Sequence, residues 1–219
     1  MPVSDFDQAR KQMLDCQIRT ADVTDRRVQA AFGQIPRHVF VPRSKDASAY
    51  ADAEVETGPG RTMMRPRDIA KLIQAADIQP TELVLDIACG RGYSTAILAS
   101  LADTVVALEE DAATIEKAST LLSEVGADNA AVIEGELKAG IAGQGPFDVI
   151  FVNGAVEEIP QAWLDQLADG GRLVAIVREG AVGRAVIVSR AGERIGERTL
   201  FNASARVLPG FERERAFSL

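Results

Sequence analysis

The chain of 219 residues is poor in the side chains that usually carry metal and redox chemistry, with one histidine and two cysteines. A single imidazole, His38, leaves too few ligands for a typical zinc site, so no metal is expected. Cys16 and Cys89 stand in dissimilar contexts, which argues against a disulfide framework and a cysteine-based metal site. Apolar neighbours surround His38, a setting that favours a packed structural residue over a general base.

The sequence also lacks a long apolar run and an excess of basic residues. No segment approaches the ~20 apolar residues of a membrane span, and residues 1–10 carry two aspartates where a signal peptide would have an apolar core. We therefore expect a cytoplasmic protein without a membrane partner. The net charge of −8 opposes a large phosphate-binding surface, so nucleic acid is not an expected partner either. Composition leaves the oligomeric state open.

The length and the balance of residue types are those of one ordinary globular unit. Hydrophobic residues make up 47% and charged residues 26% of the chain, which argues against disorder. A chain of this length is short for two full-sized domains. We expect a single domain, 1–219, in which 1–66 form an N-terminal helical and substrate-loop segment and 67–219 form a cofactor-binding α/β core.

The most informative stretch runs from Leu83 to Ser94, where the apolar pattern changes its period. Residues 83–87 suit a strand buried on both faces, and a helical pattern begins at Tyr93. Between them, Gly90 and Gly92 allow positive φ and the close approach of a ligand to the backbone. This order is typical of a nucleoside-binding unit, although glycines required only by the turn would look the same. Cys89 in this turn is either reactive or simply small enough to fit.

Strands and helices alternate along the rest of the core. Further strands are predicted at 104–108, 130–133, 147–152 and 173–177, with helices between them. Two later β runs joined around Ala191-Gly192 indicate a hairpin. The pattern predicts an α/β fold, a doubly wound and mostly parallel sheet with an antiparallel edge hairpin and an N-terminal helical segment.

Several local features are also predicted. Thr24 is expected to cap the second helix, and the proline-bounded segment Ile35–Pro42 to be extended. A helix opened by Pro160 is expected to carry Leu167 and to end at Gly170-Gly171. The second strand of the hairpin is placed near 198–205, and the alternating residues 211–215 suggest an exposed edge strand.

Acidic and amide side chains follow the predicted strands at the edge where such sheets bind ligands. Glu109 lies 19 positions after Gly90, close to the ~20-residue spacing at which an acid meets ribose hydroxyls. The acids that begin at Glu109 could instead stabilise the next helix dipole. Glu136 and Asn153 follow the third and fourth strands, where Glu136 is either a base-binding or a merely exposed residue.

The charge at this edge favours a cationic nucleoside. Asp86 stands four residues before Gly90, and Thr95 replaces the third glycine of the dinucleotide pattern. Both features disfavour a pyrophosphate and suit the sulfonium and ammonium of S-adenosylmethionine. An NAD-dependent oxidoreductase is the alternative that this reasoning leaves open.

The motifs resemble those of a known family. Asp86 to Tyr93, Glu109, Phe147-Asp148 and Gly170-Gly171-Arg172 resemble class I S-adenosylmethionine-dependent methyltransferases, which have a Rossmann-like fold. The N-terminal third is similar to protein-L-isoaspartate O-methyltransferases in Met13 with Gln17, Ile35–Pro42, Ala49–Asp52, Gly58–Thr62 and Pro66.

The resemblance implies methyl transfer from S-adenosyl-L-methionine to the free carboxylate of an isoaspartyl residue, for repair of damaged proteins. The cofactor would be bound at Asp86, Ala88, Gly90, Gly92, Tyr93, Glu109, Glu110, Glu136, Leu137 and Asn153. The acceptor loop would contribute Arg61, Thr62 and Met64. No general base is needed, because a carboxylate with a pKa of about 4 is already ionised at neutral pH.

The sequence departs from the family pattern at a few of these positions. Arg61 stands where glutamine is usual, and Met64 where a serine usually lies by the acceptor. Ala88 replaces the first glycine of the cofactor turn, and Glu136-Leu137 replaces aspartate-glycine. Two alternatives follow: a family member with a different acceptor, or a non-catalytic S-adenosylmethionine-binding protein.

Overall fold

The N-terminal third of the computed structural model, which describes residues 3–213, is mostly helical. Helix α1 (Val3–Met13) continues through a π-helical turn at Leu14–Ile18, and α2 (Arg26–Gln34) follows. Short 3₁₀ turns at Arg37–Phe40 and Arg43–Ser48 then lead to a hairpin of β1 (Val55–Gly58) and β2 (Arg61–Met63). We call residues 55–63 the acceptor hairpin; they form a two-stranded antiparallel sheet of their own.

A seven-stranded sheet forms the centre of the molecule. Its strands are β3 (Leu83–Ile87), β4 (Thr104–Glu109), β5 (Ala130–Glu134), β6 (Phe147–Val156), β7 (Leu167–Glu179), β8 (Val182–Ala191) and β9 (Arg194–Asn202). They lie in the order β5-β4-β3-β6-β7-β8-β9; the first five are parallel, and β8 and β9 add an antiparallel hairpin at one edge. The fold predicted from the sequence is confirmed.

The connecting helices have readable start and stop signals. They are α3 (Pro66–Ala76), α4 (Tyr93–Ala99), α5 (Ala112–Glu124) and α6 (Gln161–Asp165). Pro66 occupies the first turn of α3, where its missing N–H has no intrahelical partner to lose. Asp111 caps α5 by accepting a hydrogen bond from the Thr114 amide at 2.8 Å. None of the helices in the described residues is long and apolar enough to cross a membrane.

Both faces of the sheet are buried under apolar side chains. Neighbouring residues of β3 belong to different clusters: Val84 packs with Phe32 and the N-terminal helices, whereas Leu85 packs with Trp163 on the other face. This alternation follows from the two-residue period of a strand. Both faces of β3 are therefore covered, and ligands have access to the carboxyl edge of the sheet.

Two N-terminal predictions are wrong. The Ile35–Pro42 segment is not extended throughout, because Arg37–Phe40 forms a 3₁₀ turn. Residues i and i+3 lie on the same side of such a turn, which lets Arg37 and Phe40 both be buried. The cap of α2 is Asp25 and not Thr24, since the Asp25 carboxylate accepts the Arg27 amide at 2.7 Å.

The C-terminal third also differs from the prediction. Helix α6 ends at Asp165, and Leu167 instead begins β7 opposite Phe147. Gly170-Gly171 lies inside β7 beside a register shift, where a Cβ at Gly171 would approach Ala168 O at 2.9 Å.

The predicted strand at 198–205 begins earlier and ends at Asn202. The expected edge strand at 211–215 does not form in its described part, which ends at Arg213; residues 214 and 215 lie outside the described range. Phe211 is buried against Trp163, with their ring centroids 5.4 Å apart. In its described part, the alternating pattern thus reflects one apolar anchor, Phe211, followed by the exposed Glu212 and Arg213.

Candidate active site

The turn between β3 and α4 depends on three residues with positive φ. We call residues 88–92 the cofactor turn, in which Ala88, Gly90 and Gly92 have φ of 60°, 56° and 91°. A left-handed conformation costs an alanine roughly 1–2 kcal/mol, and the surrounding sheet must offset that cost. A Cβ at Gly92 would lie 3.2 Å from Leu122 Cγ, so this glycine lets α4 approach α5.

Asp86 lies two residues before the cofactor turn and is fully buried. Its Oδ2 accepts hydrogen bonds from the hydroxyls of Ser94 at 2.7 Å and Thr95 at 2.6 Å. Its Oδ1 is buried and has no hydrogen-bond partner among the described residues. Burial is the main cause that raises the pKa of Asp86 to about 7. The site thus contains an acceptor oxygen that lacks a donor.

Glu109 ends β4 beside the cofactor turn and is 1% exposed. Its Oε2 accepts the Gly90 amide at 2.9 Å, and its Oε1 accepts the Glu110 amide at 3.0 Å. These two bonds hold the carboxylate at the carboxyl edge of the sheet. This contact places Glu109 next to the glycines, and its role toward a ribose stays a prediction.

Arg61, at the start of β2, forms a bidentate ion pair with Glu109. Its Nη1 donates to Glu109 Oε1 and its Nη2 to Glu109 Oε2, both at 2.8 Å. The same Nη2 also donates to the Ala88 carbonyl at 2.8 Å. A planar guanidinium matches a planar carboxylate in this arrangement, and such charge-assisted bonds are the stronger kind. One side chain therefore joins the acceptor hairpin to the cofactor turn.

A cleft of about 460 Å³ opens beside this ion pair. It is lined by Thr57, Gly58, Pro59, Arg61, Gly90, Arg91, Glu109, Glu110, Asp111, Ala113, Thr114, Lys117 and Pro209. A second space, almost closed at about 10 Å³, is lined by Arg61, Thr62, Met63, Cys89, Tyr93 and Asn153 among others. Arg61 lines both spaces, so it stands between the open cleft and the narrow one. A larger cavity of about 510 Å³ beside α6 contains none of the predicted site residues.

The remaining predicted cofactor residues differ in position. Glu110 lines the cleft, and its Oε1 accepts the Leu137 amide at 2.9 Å. Leu137 itself is buried, and its carbonyl accepts the indole N–H of Trp163 at 2.7 Å. Glu136 is exposed and does not line the cleft. Asn153 lines the narrow space, where its Oδ1 is buried without a partner among the described residues.

The three predicted acceptor-loop residues are likewise separated. Arg61 and Thr62 face the narrow space, and Thr62 Oγ1 donates to Glu54 Oε2 at 3.4 Å. Met64 is fully buried and lines neither the cleft nor the narrow space. Its carbonyl accepts Nη2 of Arg37 at 2.7 Å. Met64 is therefore part of the packing beneath the acceptor hairpin in this conformation.

Arg37 is the main residue that sequence reasoning missed. It is fully buried, its Nε donates to the Ala49 carbonyl at 2.6 Å, and its guanidinium carbon lies 4.9 Å from the Tyr93 ring centroid. It forms no salt bridge within the described residues. Burial lowers the pKa of Arg37 and raises that of Tyr93 to about 12. The proline-bounded segment was a signal for a special structure, but not for a buried cation.

The lone imidazole lies outside the site. The His38 ring stacks on Phe6 at 4.0 Å, and its Nδ1 is 2.9 Å from the Tyr50 hydroxyl. Burial is the main cause that lowers its pKa. Cys89 is buried in the cofactor turn, and burial raises the pKa of its thiol well above the ordinary value. Neither side chain has the setting of an activated base or nucleophile.

Comparison with known proteins agrees with this geometry. A family model described as protein-L-isoaspartate(D-aspartate) O-methyltransferase matches residues 8–202. A protein-L-isoaspartate O-methyltransferase of Methanoregula boonei is 40% identical over 188 residues, which cover 86% of this chain and 87% of that protein. One from Koribacter versatilis is 37% identical over 186 residues, covering 85% and 84%.

Two solved structures share the fold. A protein-L-isoaspartate O-methyltransferase superposes with a TM-score of 0.81 at 23% identity, over 92% of this chain and 66% of that one. A Plasmodium falciparum protein described as an enzyme of the same name, solved with S-adenosyl-L-homocysteine, gives 0.78 at 21% identity, over 91% and 97%. With the extent of the family match, these findings establish that the chain belongs to the protein-L-isoaspartate(D-aspartate) O-methyltransferase family.

Proposed function

We propose that this protein is an S-adenosylmethionine-dependent methyltransferase that esterifies the free carboxylate of isoaspartyl residues in damaged proteins. The observation that carries the proposal is the buried Glu109 carboxylate, held by the Gly90 amide at the lip of a cleft of about 460 Å³. Family membership identifies the chemistry that this arrangement serves.

The donor groups at the site fit this cofactor. Glu109 can accept hydrogen bonds from a ribose diol, and Gly90 offers bare backbone to the cleft. Asn153 Oδ1, in the narrow space, has no donor among the described residues, and an ammonium group is a donor that suits it. Asp86 Oδ1 lacks a donor as well, but Asp86 lines neither space. Glu110, which lines the cleft and accepts the Leu137 amide, is the residue we expect to hold the base of the nucleoside.

The reaction places small demands on the protein's own groups. S-adenosylmethionine, when bound, supplies a methyl group whose carbon–sulfur bond breaks as a carboxylate oxygen attacks the carbon. Because the attacking carboxylate is already ionised, no side chain has to remove a proton. The task of the acceptor hairpin is to align the oxygen and to exclude water. This division of labour is consistent with a site that lacks an activated histidine or cysteine.

The direct test is incubation with S-adenosylmethionine carrying a labelled methyl group. We expect label to enter an isoaspartyl peptide and not its aspartyl twin of the same sequence. Arg194→Gln, on the exposed edge strand β9, is a matched control that should leave the rate unchanged. Absence of selective uptake, with S-adenosylhomocysteine still bound in calorimetry, would instead identify a binding protein without this activity.

Another acceptor is a second candidate, favoured by Met64 and Arg61 in the acceptor segment. Restoring a serine at position 64 should then raise isoaspartyl methylation. The burial of Met64 weakens this candidate, since its side chain lines neither space of the site. The cytoplasmic location, the absence of a nucleic-acid partner and the division into 1–66 and 67–219 stay predictions.

A further inference from the structure

Arg61 forms two hydrogen bonds to Glu109, the carboxylate that we propose binds the ribose of the cofactor. We infer that Arg61 exchanges one carboxylate partner for another. It pairs with Glu109 when no cofactor is bound, and cofactor binding releases its guanidinium, which then binds the carboxylate of the acceptor. This inference rests on the proposed function for the identity of the acceptor. It predicts that cofactor and acceptor strengthen each other's binding through one side chain.

The hydrogen bonds of Glu109 leave no room for a second set of donors. An ionised carboxylate has about four lone-pair sites. Here two sites take the Gly90 and Glu110 amides, and the other two take the N–H groups of Arg61. The two hydroxyls of a ribose can therefore bind Glu109 only by replacing the two bonds from Arg61. At Glu109 the exchange is two hydrogen bonds for two, and Arg61 also gives up its bond to the Ala88 carbonyl.

The position of Arg61 suits such an exchange. It belongs to the short two-stranded hairpin and not to the main sheet, so its backbone is tied to the core by few main-chain bonds. Its side chain is 20% exposed, whereas Glu109 is 1% exposed. The guanidinium can move toward solvent or the narrow space, while the carboxylate is held by two backbone amides. Arg61 is thus the mobile partner of the pair.

A released guanidinium would remain beside the narrow space, which lies between the acceptor hairpin and the cofactor turn. Arg61 lines the narrow space together with Thr62, Met63 and Asn153. The other acids of the cleft already accept hydrogen bonds, Glu110 from the Leu137 amide and Asp111 from Thr114. An incoming carboxylate offers the planar, bidentate partner that Arg61 has in Glu109. The guanidinium of Arg61 therefore binds two carboxylates in turn, first that of Glu109 and then that of the acceptor.

The first test measures S-adenosylhomocysteine binding by calorimetry without any acceptor. Arg61→Gln should bind it about ten- to a hundredfold more tightly than the wild type, because the cofactor no longer displaces a charge-assisted pair. Arg91→Gln is the matched control: Arg91 lines the same two spaces, but it donates to the Phe40 carbonyl and not to Glu109. An equal change in both variants, or no change in Arg61→Gln, would overturn the inference. Since no acceptor is present, this result does not depend on the isoaspartyl assignment.

The second test measures the coupling between the two ligands. In the wild type, saturating S-adenosylhomocysteine should tighten binding of an isoaspartyl peptide at least about fivefold, and the peptide should tighten S-adenosylhomocysteine by the same factor. In Arg61→Gln the factor should fall to about one, and in Arg61→Lys to an intermediate value. Coupling that persists in Arg61→Gln, or its absence in the wild type, would contradict the acceptor role. Circular dichroism and thermal unfolding establish that each variant is folded.

Discussion

The cofactor turn and the acceptor hairpin face each other across the site, yet they are held in different ways. The cofactor turn follows a central strand, and its shape comes from three residues with positive φ and from buried carboxylates behind it. The acceptor hairpin is a separate two-stranded sheet. Arg61 joins it to the cofactor turn, Val55 and Met63 pack into the core, and Arg37 binds the carbonyl of Met64 directly after it. The main sheet thus sets the shape of the cofactor turn, whereas the position of the acceptor hairpin depends on a few contacts that can be replaced.

This difference predicts that the two halves can be disturbed separately. A change in the cofactor turn or Glu109 should alter S-adenosylhomocysteine affinity, with little dependence on the acceptor. A change at Arg37 should alter binding of the acceptor alone. A change at Arg61 should alter binding of both acceptor and cofactor, because Arg61 contacts the cofactor turn as well.

The largest effect is expected at Glu109, provided that Arg61 no longer competes for it. In an Arg61→Gln background, Glu109→Ala removes two charge-assisted bonds to the ribose and should weaken S-adenosylhomocysteine at least about a hundredfold. In the wild-type background the same change should cost less, because it also removes the competing ion pair. Calorimetry on the four proteins measures both effects. Equal losses in the two backgrounds would show that Arg61 does not compete with the ribose for Glu109. Glu110→Ala serves as the control with a smaller loss.

The next largest effect is expected at Arg37, which binds the chain on either side of the acceptor hairpin, at Ala49 and Met64. Arg37→Met removes the donors to the buried carbonyls of Ala49 and Met64, so we expect a loss of about 2–4 kcal/mol in the free energy of unfolding. S-adenosylhomocysteine affinity should stay within about twofold, while the KM for an isoaspartyl peptide rises. Urea unfolding and steady-state kinetics measure these quantities, with Arg194→Gln as an exposed control. A large loss of cofactor affinity in Arg37→Met would show that the cofactor turn and the acceptor hairpin cannot be disturbed separately.

The pH dependence of stability tests the cofactor turn alone. Burial raises the pKa of Asp86 to about 7, above its ordinary value of 3.8, so the folded state holds this proton more tightly than the unfolded chain. The stability that Asp86 contributes is full below about pH 4 and is lost as the pH rises toward 7, at up to about 1.4 kcal/mol per pH unit. Asp86→Asn should abolish this decline.

The informative quantity is the difference between the two unfolding curves over pH 5 to 8. His38, whose pKa burial lowers, contributes to the pH dependence with the opposite sign, but it is common to both proteins and cancels. Asparagine can still accept the hydroxyl hydrogen bonds of Ser94 and Thr95. Parallel curves for the wild type and Asp86→Asn would show that this carboxyl does not titrate there.

The cofactor turn and the acidic and amide residues around it were the more predictable part of the site. Apolar runs identified the strands, and a parallel sheet necessarily brings the residues after those strands to one edge. Glu109 ends β4 as that rule requires, whereas Asp86 lies inside β3, and Asn153 lies inside β6 beside a register shift because this strand runs on to Val156. Glu136 obeys the same rule in sequence, but its side chain is exposed, because the chain turns into a 3₁₀ segment at Leu137. Strand ends give the position of a residue, not the direction of its side chain.

The contacts of the acceptor hairpin and its neighbours could not be derived from the sequence in the same way. The sequence marked Arg61 as an unusual residue that could bind an anion, but its pairing with Glu109 joins positions 48 residues apart through a hairpin outside the main sheet. Met64 was placed by the acceptor on the family pattern, and the structure buries it. Arg37 has no sequence signal for burial, because charged residues are almost never fully buried. These contacts depend on tertiary packing that periodicity does not record.

The smallest effect is expected at Ala88, where three opposing contributions nearly cancel. Ala88→Gly relieves roughly 1–2 kcal/mol of left-handed strain, but it adds about 0.5–1 kcal/mol of backbone entropy to the unfolded chain. It also removes a fully buried methyl group worth about 0.8 kcal/mol. The free energy of unfolding should therefore change by less than about 1 kcal/mol. In the acceptor hairpin, Gly60→Ala has no such compensation, since φ is 69° and the new Cβ would lie 3.0 Å from Pro209 Cγ. Urea unfolding of both variants decides the point: a loss in Ala88→Gly as large as that in Gly60→Ala would mean that the buried methyl group, and not the backbone, holds the cofactor turn.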